Sequence, residues 1–153
     1  MKKIVLTLAA ALVCGGAFTF TSCSGNASKG DATEQTENDA VAQGRERVQK
    51  TLDQFTGQLP QPMGAGLTLE KLAIDGDYVV YTIAIEDADI YNQLEIDDET
   101  KNAALQNIGA AGKTFVDAKL GARFVYTNKD SKSDKEMSIT PEELAKNYSS
   151  NAE

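Results

Sequence analysis

The chain has 153 residues, of which 15 are basic and 23 are acidic, so its formal net charge is −8. It contains no His and no Trp. An acidic protein repels the phosphates of nucleic acids, so we expect no nucleic-acid partner. Without His, a His-dependent catalytic triad and a His-containing zinc site are excluded.

The first 22 residues have the three parts of an export signal. Two lysines follow Met1, residues 4–20 form an apolar stretch without charge, and small residues stand before Cys23. A membrane-spanning helix needs about 20 apolar residues. The stretch here is at the short end of that range, and a pair of glycines interrupts it. We therefore predict that residues 1–22 are a signal peptide that is removed.

The segment Phe20-Thr21-Ser22-Cys23 resembles the lipobox of bacterial lipoprotein precursors, with Phe20 where that family prefers Leu. The resemblance implies that the Cys23 thiol receives a diacylglyceryl group, that the chain is cut before Cys23, and that the new amine is acylated, with palmitate as a typical chain. Two or more acyl chains anchor a protein stably, because each buried methylene contributes about 0.8 kcal/mol. We therefore expect a membrane-tethered protein.

The resemblance also predicts where the protein is held. It implies the cell envelope, with the lipid anchor in the outer membrane. In some Gram-negative lipoproteins an acidic cluster directly after the cysteine is a surface-export tag. No such cluster follows Cys23, which favours the periplasmic face.

Cys14 is the competing position for lipid attachment. The bulky Val13 precedes it, where a small residue is needed, and only residues 4–13 would remain as the apolar stretch. We interpret Cys14 as an apolar residue of the signal peptide.

Removal of residues 1–22 takes away two Lys and no acid, which changes the net charge from −8 to −10. Cys23 is then the only cysteine of the mature chain, and lipid occupies its thiol. We therefore expect no intrachain disulfide, no thiol nucleophile, and no metal or cofactor held by cysteine.

Composition divides the mature chain into two parts. Residues 23–40 are polar and lack aromatic side chains, which predicts a flexible linker between the lipid and the domain. Residues 41–150 are predicted to form a single α+β domain. Its expected architecture is a small antiparallel sheet of about four strands, in two hairpins, packed by two to four helices.

The first helix is predicted from Val41 to about Gln58, because Val48, Leu52 and Phe55 follow helical spacing. A β-hairpin is predicted from residue 67 to 85, with Asp75-Gly76 as its tight turn. Both alternating sets of side chains along its second strand are largely apolar (YVVYTIAI). We therefore expect both faces of this strand to be covered.

The second half of the domain repeats the order of helix and hairpin. A helix is predicted to begin at Asp97-Asp98-Glu99 and to be broken at Gly109 and Gly112, with a short helical turn over 113–120. Residues 122–128 and 135–139 are predicted to pair as strands around a polar loop.

A final helix is predicted from a capping box, Thr140-Pro141-Glu142-Glu143, in which Thr140 caps and Glu143 reaches back. Leu144 and Tyr148 are expected to dock this helix on the core.

Carboxylates are the side chains with the most chemical potential. Their density in the middle of the chain suggests a calcium site, because hard cations bind several oxygen ligands. Local structure also explains several of them, as turn or cap residues, and no EF-hand spacing occurs. A glycosidase-type carboxylate pair is a further alternative. The acids concerned are Asp75, Asp77, Asp87, Asp89, Glu95, Asp97, Asp98 and Glu99.

Tyrosines are the other candidate group. They could line a groove for carbohydrate or peptide, although tyrosine is also common at the edge of a small core. The five are Tyr78, Tyr81, Tyr91, Tyr126 and Tyr148.

The domain's order of tight hairpin, helix, glycine and Tyr-rich strand resembles that of uncharacterised envelope proteins. Residues 67–85 and 121–126 carry this likeness, and it implies no activity. We expect a non-catalytic envelope lipoprotein that binds a partner or supports an envelope assembly. The alternatives are a small-ligand or cation-binding lipoprotein and, less favoured, a carboxylate-dependent hydrolase.

Overall fold

The computed structural model describes residues 33–109 and 111–150. The predicted signal peptide, Cys23 and the first part of the predicted linker lie outside this range. The helices are α1 (Thr33–Thr56), α2 (Ala88–Gln93), α3 (Asp98–Ile108), α4 (Ala111–Asp117) and α5 (Pro141–Ser150). The strands are β1 (Gln61–Gly64), β2 (Leu67–Asp75), β3 (Tyr78–Ile85), β4 (Gly121–Thr127) and β5 (Lys135–Ile139).

The predicted α+β class is confirmed, and so are both predicted hairpins. The strands form one sheet in the order β1-β2-β3-β4-β5. The pairs β2–β3 and β4–β5 are antiparallel, but β3 and β4 run parallel. The sheet is therefore mixed, and the prediction of an antiparallel sheet is wrong. Parallel neighbours need a long crossover connection, and residues 86–120, which carry α2, α3 and α4, provide it.

The described residues form one strand and one helix more than predicted. Strand β1 contains Pro62 and follows Pro60, so its sequence lacks the pattern of a strand. It lies at the edge of the sheet, where proline is tolerated because one side of the strand needs no hydrogen bonds. Helix α2 is six residues long, too short to show a helical period.

Helix α1 begins at Thr33, so residues 33–40 of the predicted linker are helical. Residues 38–40 are exposed, and a solvent-exposed turn needs no apolar stripe. The hydrophobic pattern therefore begins only where α1 meets the domain. From there Val48 and Leu52 are buried as predicted, and α1 packs against β2 and α4.

The turn between β2 and β3 is shifted by one residue from the prediction. Asp75 pairs with Tyr78, so Gly76 and Asp77 are the two central residues. Only the first position has a positive φ, +59° at Gly76. This is the requirement of a type II′ hairpin turn, which places glycine first.

The prediction that Gly112 breaks a helix is wrong, because Gly112 lies inside α4. A Cβ atom at this position would overlap the ring of Tyr148 on α5. The glycine therefore serves close packing between α4 and α5. The Tyr148 hydroxyl donates a hydrogen bond to the Gly109 carbonyl oxygen.

The predicted start of α5 is confirmed. The Thr140 hydroxyl oxygen accepts a hydrogen bond from the Glu143 backbone N–H at 3.2 Å. The Glu143 carboxylate accepts one from the Thr140 N–H at 2.8 Å. Pro141 is the first helical residue, and Leu144 is fully buried.

One face of the sheet forms the core with the helices. Its buried side chains include Leu67, Leu69, Val79, Ile83, Ile85, Phe124, Tyr126, Met137 and Ile139. Helices α1, α4 and α5 pack on this side. Among the described residues, no helix is long and apolar enough to span a membrane.

Candidate functional site: the open face of the sheet

The acidic residues singled out from the sequence are dispersed in the structure. Asp87 caps α2 by accepting hydrogen bonds from the N–H groups of Asp89 and Ile90 at 2.8 and 3.1 Å. Asp97 caps α3 by accepting one from the Thr100 N–H at 2.8 Å. These carboxylates satisfy helix N-termini.

The other acids also have local roles or stand apart. Asp77 pairs with Arg45 at 2.6 Å, and Asp75 lies at the end of β2. Within residues 33–109 and 111–150, no three acidic or Cys side chains come together in a way that could hold a metal ion. The geometry therefore gives the cation alternative no support.

The tyrosines do not share one surface. Tyr81 and Tyr126 lie on the core face, and burial raises the pKa of Tyr126 to about 12. The Tyr81 ring stacks on Phe124, with 4.9 Å between ring centroids. The Tyr91 hydroxyl donates a hydrogen bond to the Ser133 carbonyl oxygen at 2.6 Å. Tyr78 lies on the opposite side of β3 from Tyr81, so a single tyrosine groove does not form.

The second face of the sheet has no described helix packed over it. We call it the open face and define it by rows of side chains that are neighbours across the strands. One row is Lys71, Thr82, Val125 and Glu136, and the next is Ala73, Val80, Arg123 and Ser138. Thr68, Ala84 and Thr127 form a third row, and Asp75 and Tyr78 lie beside Gly121 at the other end.

Most side chains at the centre of the open face are half-buried by their own neighbours. Val80, Thr82 and Val125 all fall in this class, whereas Lys71 and Glu136 at the margins are exposed. Apart from Arg123, the centre is uncharged, with aliphatic and hydroxyl groups side by side. A surface of this kind suits contact with another protein surface.

Arg123 is the principal charged side chain inside the open face. Its guanidinium carbon lies 4.4 Å from the centroid of the Tyr78 ring. Its Nη1 atom is 3.8 Å from Asp75 Oδ2, and its Nε atom is 3.2 Å from Glu136 Oε1. The Nε atom is buried and has no hydrogen-bond partner among the described residues, so its contact with Glu136 is an ion pair without a hydrogen bond. The two acids compensate the Arg123 charge, so it is not a free anion site.

Two basic side chains from outside the open face hold its borders in place. Arg45 on α1 donates hydrogen bonds to the carbonyl oxygens of Ala118 and Gly76, both at 3.2 Å, in addition to its pair with Asp77. It thereby fixes the β2–β3 turn, next to Asp75, against α1 and the end of α4.

At the opposite border, Lys135 of β5 donates hydrogen bonds to the carbonyl oxygens of Tyr91 and Leu94 at 2.6 and 2.7 Å. Cations stabilise the C-terminal carbonyls of a helix. This contact fixes β5, which carries Glu136, to the end of α2.

No sequence pattern predicts that Arg123 and Val125 lie on an uncovered face of the sheet. One sign was present, since both alternating sets of β3 are apolar. That pattern led to the expectation that both faces of β3 are covered. In the described residues only the core face is covered.

No protein-family model and no curated protein matches the sequence. Solved structures with a similar fold include the following two. One, from Pseudomonas aeruginosa, is described as a secreted protein; it is 7% identical, with a TM-score of 0.54 over 71% of this chain and 96% of that chain. The other is EpsS, the pilotin of the type 2 secretion system of Vibrio vulnificus; it is 12% identical, with a TM-score of 0.54 over 70% of this chain and 96% of that chain. At these identities the likeness concerns the fold.

Proposed function

We propose that this chain is a lipid-anchored envelope protein that acts by binding a protein partner, with the open face as its contact surface. The observation that carries the proposal is the open face itself. At its centre, Val80 and Val125 present apolar side chains that no described helix covers. Its central charge, that of Arg123, is compensated by neighbours within the chain.

The chemistry of the described residues supports binding over catalysis. Nucleophilic and general acid–base catalysis need a reactive group placed beside a base or acid of suitable pKa. Three of the acids considered for such a role have structural partners instead: Asp87 caps α2, Asp97 caps α3 and Asp77 pairs with Arg45.

The envelope role is supported by two independent features. The residues Phe20 to Cys23 resemble a lipobox, which predicts a tether through Cys23 to the outer membrane, on its periplasmic face. The fold is similar to that of a pilotin, a component of a type 2 secretion system. We carry over from that likeness only the kind of role: support of an envelope assembly.

Photo-crosslinking in intact cells tests the binding function. A benzoylphenylalanine residue replaces Val125 at the centre of the open face, and the matched control replaces the exposed Gln54 on α1. We expect an adduct with an envelope protein from position 125 and none from position 54. No adduct from position 125, or the same adducts from both positions, would contradict the proposal.

A further inference from the structure

Strand β3 carries apolar side chains on its open face as well as on its core face. Val79, Ile83 and Ile85 point into the core and are almost fully buried. Val80, Thr82 and Ala84, which alternate with them, lie on the open face and remain half-buried. Strands with apolar residues on both sides are typical of sheets that are covered on both faces. In a single copy of this chain, the described residues cover only the core face of the sheet.

The charges at the margins of the open face indicate what covers it. Lys71 and Glu136 occupy the two ends of one row, with Thr82 and Val125 between them. Consider a two-fold axis that lies in front of the open face, parallel to the strands and midway between β3 and β4. It relates β2 of one copy to the position opposite β5 of the other, and β3 to the position opposite β4. A second copy related by this axis therefore places its Glu136 opposite Lys71 of the first.

From this arrangement we propose that the open face binds a second copy of this chain, in a face-to-face dimer with two symmetric Lys71–Glu136 ion pairs. The inference rests on the proposed use of the open face for protein contact, and it names the partner. A two-fold contact needs a patch that is complementary to itself, and the row from Lys71 to Glu136 has that property.

The other rows are compatible with the same axis. It places Thr82 opposite Val125 and Ala84 opposite Thr127, which are contacts between small or branched side chains, and it places Val80 opposite Arg123 and Ala73 opposite Ser138. Two sheets pack face to face about 10 Å apart, with their strands nearly aligned. Arg123 enters the contact with its charge already compensated by Asp75 and Glu136 in its own chain.

The Glu136 carboxylate can pair with Lys71 of the second copy while it keeps its contact with Arg123. Its Oε1 atom lies 3.2 Å from Arg123 Nε and accepts a hydrogen bond from the Ser138 hydroxyl at 3.5 Å. An exposed carboxylate has a second oxygen for another cation. The side chains of Lys71 and Glu136 therefore need no rearrangement of the fold to meet across the dimer.

The size of the open face predicts a reversible dimer. With strands about 4.8 Å apart and successive rows about 6.8 Å apart, four strands and four rows span roughly 14 by 20 Å. This is small beside the roughly 800 Å² that each partner buries in a standard interface. We therefore expect monomer and dimer to exchange, and salt to weaken the dimer by screening its exposed ion pairs.

Charge exchange tests the dimer in the full chain, extracted in detergent and measured by light scattering over a concentration series, with the detergent mass subtracted. We expect a dimer for the wild type and at least about fivefold weaker dimerisation for Lys71→Glu, which brings like charges together twice. The double variant Lys71→Glu/Glu136→Lys restores opposite charges and should return to within about twofold of the wild type. Lys129→Glu, the same charge change on an exposed residue of the β4–β5 loop, is the matched control.

A second variant keeps the test decisive if Glu136→Lys disturbs folding by removing the contact with Arg123. Thr82→Arg places a long cation at the centre of the open face and should give a monomer that melts like the wild type. A wild type that is monomeric throughout, equal effects of Lys71→Glu and Lys129→Glu, or a folded double variant without recovery would overturn the dimer.

The photo-crosslinking result separates this inference from the proposed function. An adduct of the chain with itself from position 125 supports both. An adduct only with a different envelope protein, combined with a monomeric wild type, overturns the dimer and leaves the proposed function standing. No adduct of any kind overturns both.

Discussion

The ring of Tyr78 lies between Gly121 on the neighbouring strand and the guanidinium of Arg123, which is 4.4 Å from the ring centroid. Tyr78 and Gly121 are direct partners in the parallel ladder. Tyrosine covers the backbone that glycine leaves bare, and arginine covers the tyrosine. This stack organises one end of the open face and holds Arg123 between Asp75 and Glu136.

The stack depends on the missing side chain at Gly121. A Cβ atom there would overlap the Ile139 carbonyl oxygen and lie 3.0 Å from the Tyr78 ring. We expect Gly121→Ala to lower the free energy of unfolding by about 1–3 kcal/mol, the range for overpacking. Urea unfolding measures it. Gly57→Ala is the matched control, since a Cβ atom at Gly57 meets no atom within 4 Å; equal losses in the two variants would refute the close-packing role.

Arg45 joins three parts of the fold that are distant in sequence: α1, the β2–β3 turn and the end of α4. Arg45→Met keeps the apolar stem and removes the donors. We expect a loss of about 1–2 kcal/mol in the free energy of unfolding, toward the low end because its partner Asp77 is exposed. Arg47→Met, at an exposed position of the same helix, should change stability by less than about 0.5 kcal/mol. An unchanged unfolding midpoint for Arg45→Met would contradict this account.

Glu143 makes stability depend on pH. The Lys101 ammonium, 2.6 Å from its carboxylate, and the Thr140 N–H lower its pKa below the ordinary 4.5. Because the pKa is lower in the folded than in the unfolded chain, the stabilisation is present above the unfolded value. It is lost as the pH falls through the folded value.

We expect Glu143→Gln to cost about 0.5 kcal/mol near pH 7, a small figure because the carboxylate is partly exposed. The difference from the wild type should vanish as the pH falls through the lowered pKa of Glu143 in the folded chain, because Glu143 itself then becomes neutral. Unfolding over a series of pH values from 7 downward measures it, with Glu142→Gln as a control of equal charge change. A difference that persists below that pKa would show that the lost charge is not its cause.

The sequence predicted those parts of the fold that local physics determines. The Thr140–Glu143 capping box, the Asp97 cap and the two hairpins depend on residues close together in the chain. Turn geometry and unsatisfied helix N–H groups select the same residues in most proteins. These predictions therefore hold without knowledge of the tertiary structure.

The parts that were missed depend on tertiary context. The parallel pairing of β3 and β4 follows from the path of the chain through α2, α3 and α4, which no local pattern encodes. Gly112 has the sequence signature of a helix breaker, but its role is to leave space for the Tyr148 ring. The open face depends on the register of the sheet, which places Lys71, Thr82, Val125 and Glu136 in one row.

Membrane fractionation with metabolic fatty-acid labelling tests lipid attachment at Cys23. Cys14→Ala is the matched control, because it removes the other cysteine of the chain. We expect the wild type and Cys14→Ala to carry label and to sediment with membranes, whereas Cys23→Ala carries none and loses that lipid-dependent attachment. A labelled, membrane-bound Cys23→Ala protein, or loss of label in Cys14→Ala alone, would contradict it.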